Sequence, residues 1–412
     1  MGPVPAGLSE VVRSLLVVIT MVAVKGYRSI HDLVLPLGRV TVVTGANGVG
    51  KSNLYRSLRL LAGVAHGRLV PSLAAEGGLS QVLWAGPEHV SAAMRRGEVS
   101  IEGTAARSAP VMLGLGMATE DLGYLVDVGL PQASAHETLF FRDPEIKREA
   151  VFVPPLLRGA TTLVDRRWSK VRVRDATGTW DELDLSLGPR SSVIEEFSDH
   201  RTTPELVRLR HVMASWRFHE GIRTDPGAPA RRPCVATRTV VLAGDGSDLA
   251  AAIGTVLESS WADPFRAAVE EALGVRIDVV GSDDGTVRLA LRQTGLLRPL
   301  DATEVSDGTL RLLVLAAALC SPAPASLLVL NEPETSLHPS VLPALAGLIR
   351  QAARRTQILV VSHDDALVRA LGEPDGDGLV HHELVRDLGR TELAGVGLLD
   401  RPRWNWGTRR RW

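Results

Sequence analysis

Eight consecutive residues carry the clearest chemistry in this chain. Gly45-Ala46-Asn47-Gly48-Val49-Gly50-Lys51-Ser52 satisfies the pattern GxxxxGK[ST]. Glycines at those places let the backbone curl, so that successive N–H groups turn inward toward anionic oxygens. A helix starting at the lysine adds the positive end of its dipole. Lys51 then reaches the β- and γ-phosphates of a nucleoside triphosphate, and the Ser52 hydroxyl ligates Mg²⁺. Asn47, Gly48, Val49, Gly50 and Asn53 belong to the same phosphate-contacting stretch. Lysine occurs only at Lys25, Lys51, Lys147 and Lys170, so one inside this pattern is informative.

Further along, Leu327-Leu328-Val329-Leu330-Asn331-Glu332-Pro333-Glu334 reads as a buried strand ending in acidic residues. Such a Walker B element sets a metal-organising group beside a carboxylate that positions the attacking water. Glu332 is the expected general base. Asn331 stands where an aspartate is usual, so a metal-bound water would meet an amide carbonyl without charge.

Ser306-Asp307-Gly308-Thr309 precedes the apolar stretch LRLLVLAAALC. A Ser and a Gly at a helix N-terminus form an anion site by the logic of the phosphate loop. Since the chain's own loop already holds phosphates, this second site is expected to serve another subunit's nucleotide. A plain N-cap would also account for Ser306. Ser336-Leu337-His338-Pro339 and Ser362-His363-Asp364 follow. His363 is the candidate for sensing the γ-phosphate, with a histidine capping a strand end as the plainer alternative. Gln81 is a candidate contact to Mg²⁺ and the attacking water. Arg28, in Gly26-Tyr27-Arg28-Ser29, is a candidate nucleotide contact, and a solvated turn arginine remains open.

The elements that must position these groups show in the hydrophobic pattern. Residues 21–25 and 39–44 are short, apolar and β-branched, hence strands, with a turn and hairpin-like stretch between them. Leucines at 54, 58 and 61 give helical spacing after the loop. EVSIEGTA (98–105), GYLVDVGL, REAVFVPP, KVRVRDATG and DELDLSLG suggest an antiparallel region. Residues 191–218 and 247–274 read as helical, and 275–295 as a hairpin turning at SDDG. A helix at 308–320, a strand at 326–331, a helix at 340–354 and a strand at 357–362 alternate as in a parallel sheet covered on both faces.

Composition narrows the setting. The chain has 412 residues and a formal net charge of −1, which gives no global argument for nucleic acid or an acidic membrane. Two distant cysteines outside any Cys/His cluster argue against disulfides or structural zinc, and a reducing, cytoplasmic compartment is the simplest reading. The apolar run at 15–24 is too short to span a bilayer, which needs about 20 residues. Residues 1–20 read as an extension, 401–412 as a basic, Trp-rich, loosely ordered tail.

The order of P-loop, long insertion, SDGT, LLVLNEPETSLHP and VVSHD resembles the ABC/SMC-like ATPases, especially the small RecF-like and OLD-related ATPases. The opening VKGYRSIHDLVLPLGRVTVVTGANGVGKSNLYRSLRLLA is similar to that group throughout. The resemblance implies an α/β split ATPase head: a P-loop sheet plus an antiparallel β subdomain, with an inserted helical or mixed lid. Mapped on the chain, it suggests an N-terminal lobe at 21–190, a lid at 191–274 and a C-terminal lobe at 275–400. It implies a homodimer with ATP and Mg²⁺ sandwiched between Lys51 and Ser52 of one subunit and Ser306 and Gly308 of the other. Asp307 and Thr309 flank that second site. Glu332 would be base, His363 switch, and Ser52, Gln81 and Asn331 the metal contacts. The stretch after His363 is too short for the Toprim nuclease of OLD-like relatives, so none is expected.

RecF-like relatives imply work at DNA gaps and breaks, and OLD-like ones phage defence. Arg208, Arg210 and Arg217, then Arg231 and Arg232, and Arg409, Arg410 and Arg411 are the candidate DNA contacts. The alternative is a toxin-type or defence ATPase regulating a partner effector instead of binding DNA. A transporter motor is disfavoured by the long lid and the SLHP loop, and a small-molecule kinase would need neither SDGT nor a switch histidine. No membrane partner is expected.

Overall fold

The protein is described here by a computed structural model covering residues 17–87, 90–100, 112–131, 137–175, 177–197, 203–374, 378–397 and 400–408. Most of the extension at 1–20, much of the strand expected at 98–105, and Arg409, Arg410 and Arg411 lie outside the described residues.

From the amino end, β1 (Ile19–Tyr27) and β2 (Ile30–Pro36) are followed by β3 (Val40–Thr44) and the helix α1 (Lys51–Val64). After short helices come β4 (Leu113–Thr119), β5 (Gly123–Gly129), β6 (Glu145–Phe152), β7 (Thr162–Arg167), β8 (Lys170–Arg174), β9 (Trp180–Ser186) and α2 (Pro204–Ala214). Then follow β10 (Arg217–Glu220), β11 (Cys234–Val235), α3 (Leu249–Leu257), α4 (Ala262–Leu273), β12 (Val275–Gly281), β13 (Thr286–Gln293) and β14 (Leu300–Asp301). The chain closes with α5 (Asp307–Leu319), β15 (Leu327–Asn331), α6 (Leu342–Ala352), β16 (Gln357–Val361), α7 (Asp365–Leu371), β17 (Leu379–Asp387) and β18 (Arg390–Leu393).

Two compact units divide these elements. Unit 1 comprises Met1–Leu37, Thr44–Trp216 and His382–Trp412, and unit 2 comprises Gly38–Val43 and Arg217–His381. Unit 1 is built on an eight-stranded sheet in the order β2-β1-β4-β5-β6-β7-β8-β9, with antiparallel neighbours throughout. The expected hairpin-like stretch is the β1–β2 pair. Leu54, Leu58 and Leu61 of α1 are all buried, as their spacing requires.

Residues 401–408 of the tail pack within this unit. A side chain at Gly116 of β4 would meet Trp404 at 2.3 Å, and one at Gly114 would meet Trp406 at 2.7 Å, so the glycines make room for the indoles. Trp406 donates its indole N–H to Asp32 at 3.2 Å, and Asn405 donates to the Leu157 carbonyl at 2.7 Å. Composition alone suggested a loose tail because Arg and Trp alternate there without helical or strand period.

In unit 2, β10, β15, β16 and β3 form parallel neighbours in that order. β15 and β16 are buried at every residue, which explains their unbroken apolar runs. Leu328, Leu330, Ile358, Val360, Val40 and Val42 join one core with the apolar face of α5, including Leu310 and Leu313. Each such side chain contributes about 1.5–3 kcal/mol on full burial. The β12–β13 hairpin turns at 282–285, and in β12 buried Val275 and Ile277 alternate with exposed Arg276 and Asp278. The stretch 191–218 is shorter in helix than its pattern suggests, because 217–220 joins the parallel sheet as β10.

Candidate functional site

The phosphate-loop sequence lies in unit 1, directly after β3. Gly45, Gly48 and Gly50 have φ values of 143°, 82° and 112°. These are conformations that side-chain-bearing residues avoid. Gly50 is also sterically required, since a Cβ there would lie 2.1 Å from Thr391 Oγ1 and 2.7 Å from Ser29 Oγ. Lys51 opens α1 and is buried, and its ammonium donates to the carbonyls of Gly45 at 2.5 Å and Ala46 at 3.1 Å. The cation is thereby held over the curl of backbone N–H groups. Ser52, Asn47 and Gly48 are exposed.

A small polar cluster fixes the loop from behind. Thr391 of β18 donates to the Val49 carbonyl at 2.7 Å and shares a 2.7 Å hydrogen bond with Ser29. Asn53 donates to Ser29 at 2.8 Å, so its side chain braces the loop. Thr391 has no signal in a local sequence window, because it meets Val49 across most of the chain.

Arg28 has φ 49° and pairs with Glu76 at 2.7 Å. The Glu76 hydrogen bond raises its pKa further. Its backbone N–H donates to Val82 at 2.6 Å, which ties the turn beside Ser29 to the segment that carries Gln81. Gln81 itself is exposed.

The motifs at 331–334 and 362–364 lie in unit 2, at the carboxyl ends of the parallel strands β15 and β16, where open α/β sheets bind ligands, and the motif at 306–309 opens α5 in the same unit. Asn331 ends β15, and its amide donates to Glu220 at the end of β10 at 3.4 Å. Glu332 follows with φ 47°, a left-handed conformation that costs a non-glycine residue about 1–3 kcal/mol. It is clamped on both sides: its N–H donates to the Val361 carbonyl at 2.7 Å, and its own carbonyl accepts from Arg311 at 3.0 Å. The Glu332 carboxylate is about two-fifths exposed, with His363 Nδ1 at 3.6 Å.

Glu334 is the hidden member of this group. Its buried carboxylate accepts the Ser362 hydroxyl at 2.7 Å and the His363 N–H at 3.2 Å, while Oε2 is buried without a hydrogen-bond partner. His363 Nδ1 is 3.4 Å from the same carboxylate. Burial lowers the pKa of Arg311, and the charges of Glu334 and Glu332 oppose that shift.

Ser306 caps α5, accepting the Thr309 N–H at 3.1 Å. Gly308 passes so close to the SLHP loop that a Cβ would lie 2.7 Å from the Ser336 carbonyl. Asp307 accepts from the buried Arg231 at 2.7 Å, and Arg231 also donates to the carbonyls of Ala302 and Val305. Arg231 therefore anchors the approach to Ser306, a role its place in a basic run conceals.

Thus unit 1 gathers residues 45–53 with Ser29 and Thr391, and unit 2 gathers Asn331, Glu332, Glu334, Ser362 and His363, with Gly308 against the SLHP loop. The donors assigned to a metal, the Ser52 hydroxyl and the Asn331 amide carbonyl, are oxygens, the chemistry Mg²⁺ takes. A magnesium ion needs few protein ligands where phosphates and waters supply the rest. Among the described residues there is no group of three or more His, Cys, Asp or Glu able to hold a metal ion by itself. None of the described helices is long and apolar enough to cross a membrane.

The glycine loop leaving β3 and the buried parallel strand β15 are features of a P-loop nucleotide-binding fold. The chain belongs to the family described as "AAA domain, putative AbiEii toxin, Type IV TA system", whose model matches residues 40–369. No curated protein matches the chain. Among solved structures, it is similar to an SmcHead bound to the C-winged helix domain of ScpA, at 12% identity and TM-score 0.47, over 92% of this chain and 98% of that one. It is also similar to the SMC head domain from Thermotoga maritima, at 13% identity and TM-score 0.39, over 92% and 100%. A third is an Smc head domain with an extended coiled coil bound to the C-terminal domain of ScpA derived from Pyrococcus furiosus, at 12% identity and TM-score 0.46, over 92% and 96%.

Proposed function

We propose that this protein hydrolyses ATP as a homodimeric switch. The observation that carries the reading is the loop at 45–52, whose glycines adopt positive φ and whose lysine is held over the curl at the head of α1. Backbone N–H groups and Lys51 bind the phosphates, with Asn47, Gly48, Val49 and Gly50 shaping the curl and Asn53 bracing it. Ser52, Gln81 and Asn331 are the residues that would hold Mg²⁺, which would supply positive charge to offset that of the phosphates.

Glu332 orients the attacking water and takes its proton, the role that suits a partly exposed carboxylate fixed by a clamped backbone. His363, beside both Glu332 and Glu334, reads the state of the γ-phosphate. Ser306, Asp307, Gly308 and Thr309 meet the nucleotide of the second copy, so ATP closes the dimer and hydrolysis opens it. Arg28 stays with Glu76 until nucleotide competes for it.

The wider role favoured is regulation of a partner effector in a toxin-type or defence system. The family description, which names an AbiEii toxin and a Type IV TA system, supports it. A DNA-repair role has less support from the arginines suggested for DNA. Arg208 pairs with Asp121, Arg210 donates to the Glu195 carbonyl, and Arg231 is buried against Asp307.

The test is the mass in solution of a Glu332→Gln variant with and without ATP. A dimer that forms only with ATP and persists supports the reading. A monomer in both conditions, or wild-type turnover in the variant, overturns it.

A further inference from the structure

We propose that Glu220 supplies the negative charge that Asn331 lacks, making an Asn–Glu pair on neighbouring strands do the work of a single Walker B acid. The inference rests on the ATPase reading and assigns one more residue to it. Glu220 is the last residue of β10 and lies in register with Asn331, the last residue of β15. The strands are parallel, so both side chains leave the same face at the same end of the sheet.

The contact between them has a defined chemical sense. A carboxylate only accepts, so the amide must turn its NH₂ toward Glu220, as it does at 3.4 Å. The Asn331 carbonyl oxygen is then presented on the opposite side of the amide. One long hydrogen bond uses a small part of what a carboxylate can accept, since two oxygens offer about four lone-pair sites.

Glu220 is only partly exposed, and among the described residues it forms no ion pair. Arginines are abundant in this unit, yet Arg231 goes to Asp307 and Arg311 to the Glu332 carbonyl. A half-buried carboxylate kept clear of arginine at the carboxyl edge of a parallel sheet is suited to a cation that arrives with the substrate. Its reach to such a cation is through metal-bound water, which a carboxylate orients by accepting hydrogen bonds. Glu220 is thus a positioning residue for the metal, and Asn331 carries the contact and aligns the pair.

The test uses Mn²⁺ as probe, its free concentration read by electron paramagnetic resonance, with full-length protein loaded with a non-hydrolysable ATP analogue. Glu220→Gln keeps size and the acceptor for Asn331 but removes the charge. It is expected to weaken Mn²⁺ binding about tenfold or more. Asn331→Asp in the same chain returns the charge to β15 and restores affinity. Asn331→Ala, which breaks the pair but keeps the carboxylate, loses less than Glu220→Gln. Unchanged Mn²⁺ affinity in Glu220→Gln, or no rescue by Asn331→Asp, overturns the inference. Analogue binding measured first with saturating Mg²⁺ separates the two layers: wild-type protein that binds no nucleotide removes the ATPase reading and this inference together. Nucleotide binding with an unmoved Mn²⁺ affinity removes this inference alone.

Discussion

The Ser362 hydroxyl donates to the buried Glu334 carboxylate at 2.7 Å, and that bond sets the backbone from which His363 projects. Replacing Glu334 by Ala leaves the Ser362 hydroxyl and the His363 N–H without their acceptor. The expected cost is about 1–3 kcal/mol, read as a lower urea midpoint. ATP affinity should hold while turnover falls. A variant with native midpoint and native turnover would remove Glu334 from the site.

Lys51→Ala removes the ammonium held over the loop. ATP binding, measured by titration of a fluorescent analogue, should be lost, while the circular-dichroism spectrum keeps its native form and the melt reports a loss of no more than about 1–3 kcal/mol, the cost of taking a buried donor from two carbonyls. Native affinity would show that phosphates are bound elsewhere.

Ser306→Arg fills the cap of α5 with a bulky side chain. Hydrolysis should stop while ATP binding persists, because each subunit binds with its own loop and lends its Ser306 to the other. Mixed with Lys51→Ala chains, the variant should regain at most one working interface per dimer. Hydrolysis by Ser306→Arg alone would show that the helix end acts as an ordinary cap.

His219 links stability to pH. Burial, then the nearby Arg217 and Arg311 charges, lowers its pKa from 6.5 to about 4. The unfolded chain binds the proton more readily, so stability is whole above pH 6.5 and is lost as pH falls toward 4. Between pH 7.5 and pH 5 this group should remove about 2 kcal/mol. In His219→Phe that share of the pH dependence should vanish from the denaturation midpoints. An identical pH slope in the two proteins would assign the effect to other groups.

The most legible parts of the sequence are those whose physics is local. The loop at 45–52 is readable because its glycines, lysine and serine act within one turn of chain, and β15 and β16 because burial on both faces demands unbroken apolar runs. Thr391, Glu220 and Arg231 escape such reading: each acts on a partner brought close only by the fold, namely Val49, Asn331 and Asp307. Arg231 is the sharpest case, since an arginine beside Arg232 looks like a surface charge until its buried partners are seen. The docked tail is similar, because the glycines that receive Trp404 and Trp406 lie in β4.

The parallel neighbour of β3 is β16, and its other neighbour in the sheet is β17, both far toward the other end of the chain. During synthesis, Val40, Val42 and Val43 therefore leave the ribosome long before the strands that will cover them exist. Unit 1's β4 to β9, joined strand to next strand, can pair as they emerge, whereas this apolar segment must wait. A nascent chain of this protein carries an exposed sticky strand for most of its translation, which makes early chaperone engagement, or aggregation when it fails, a built-in feature of its biogenesis.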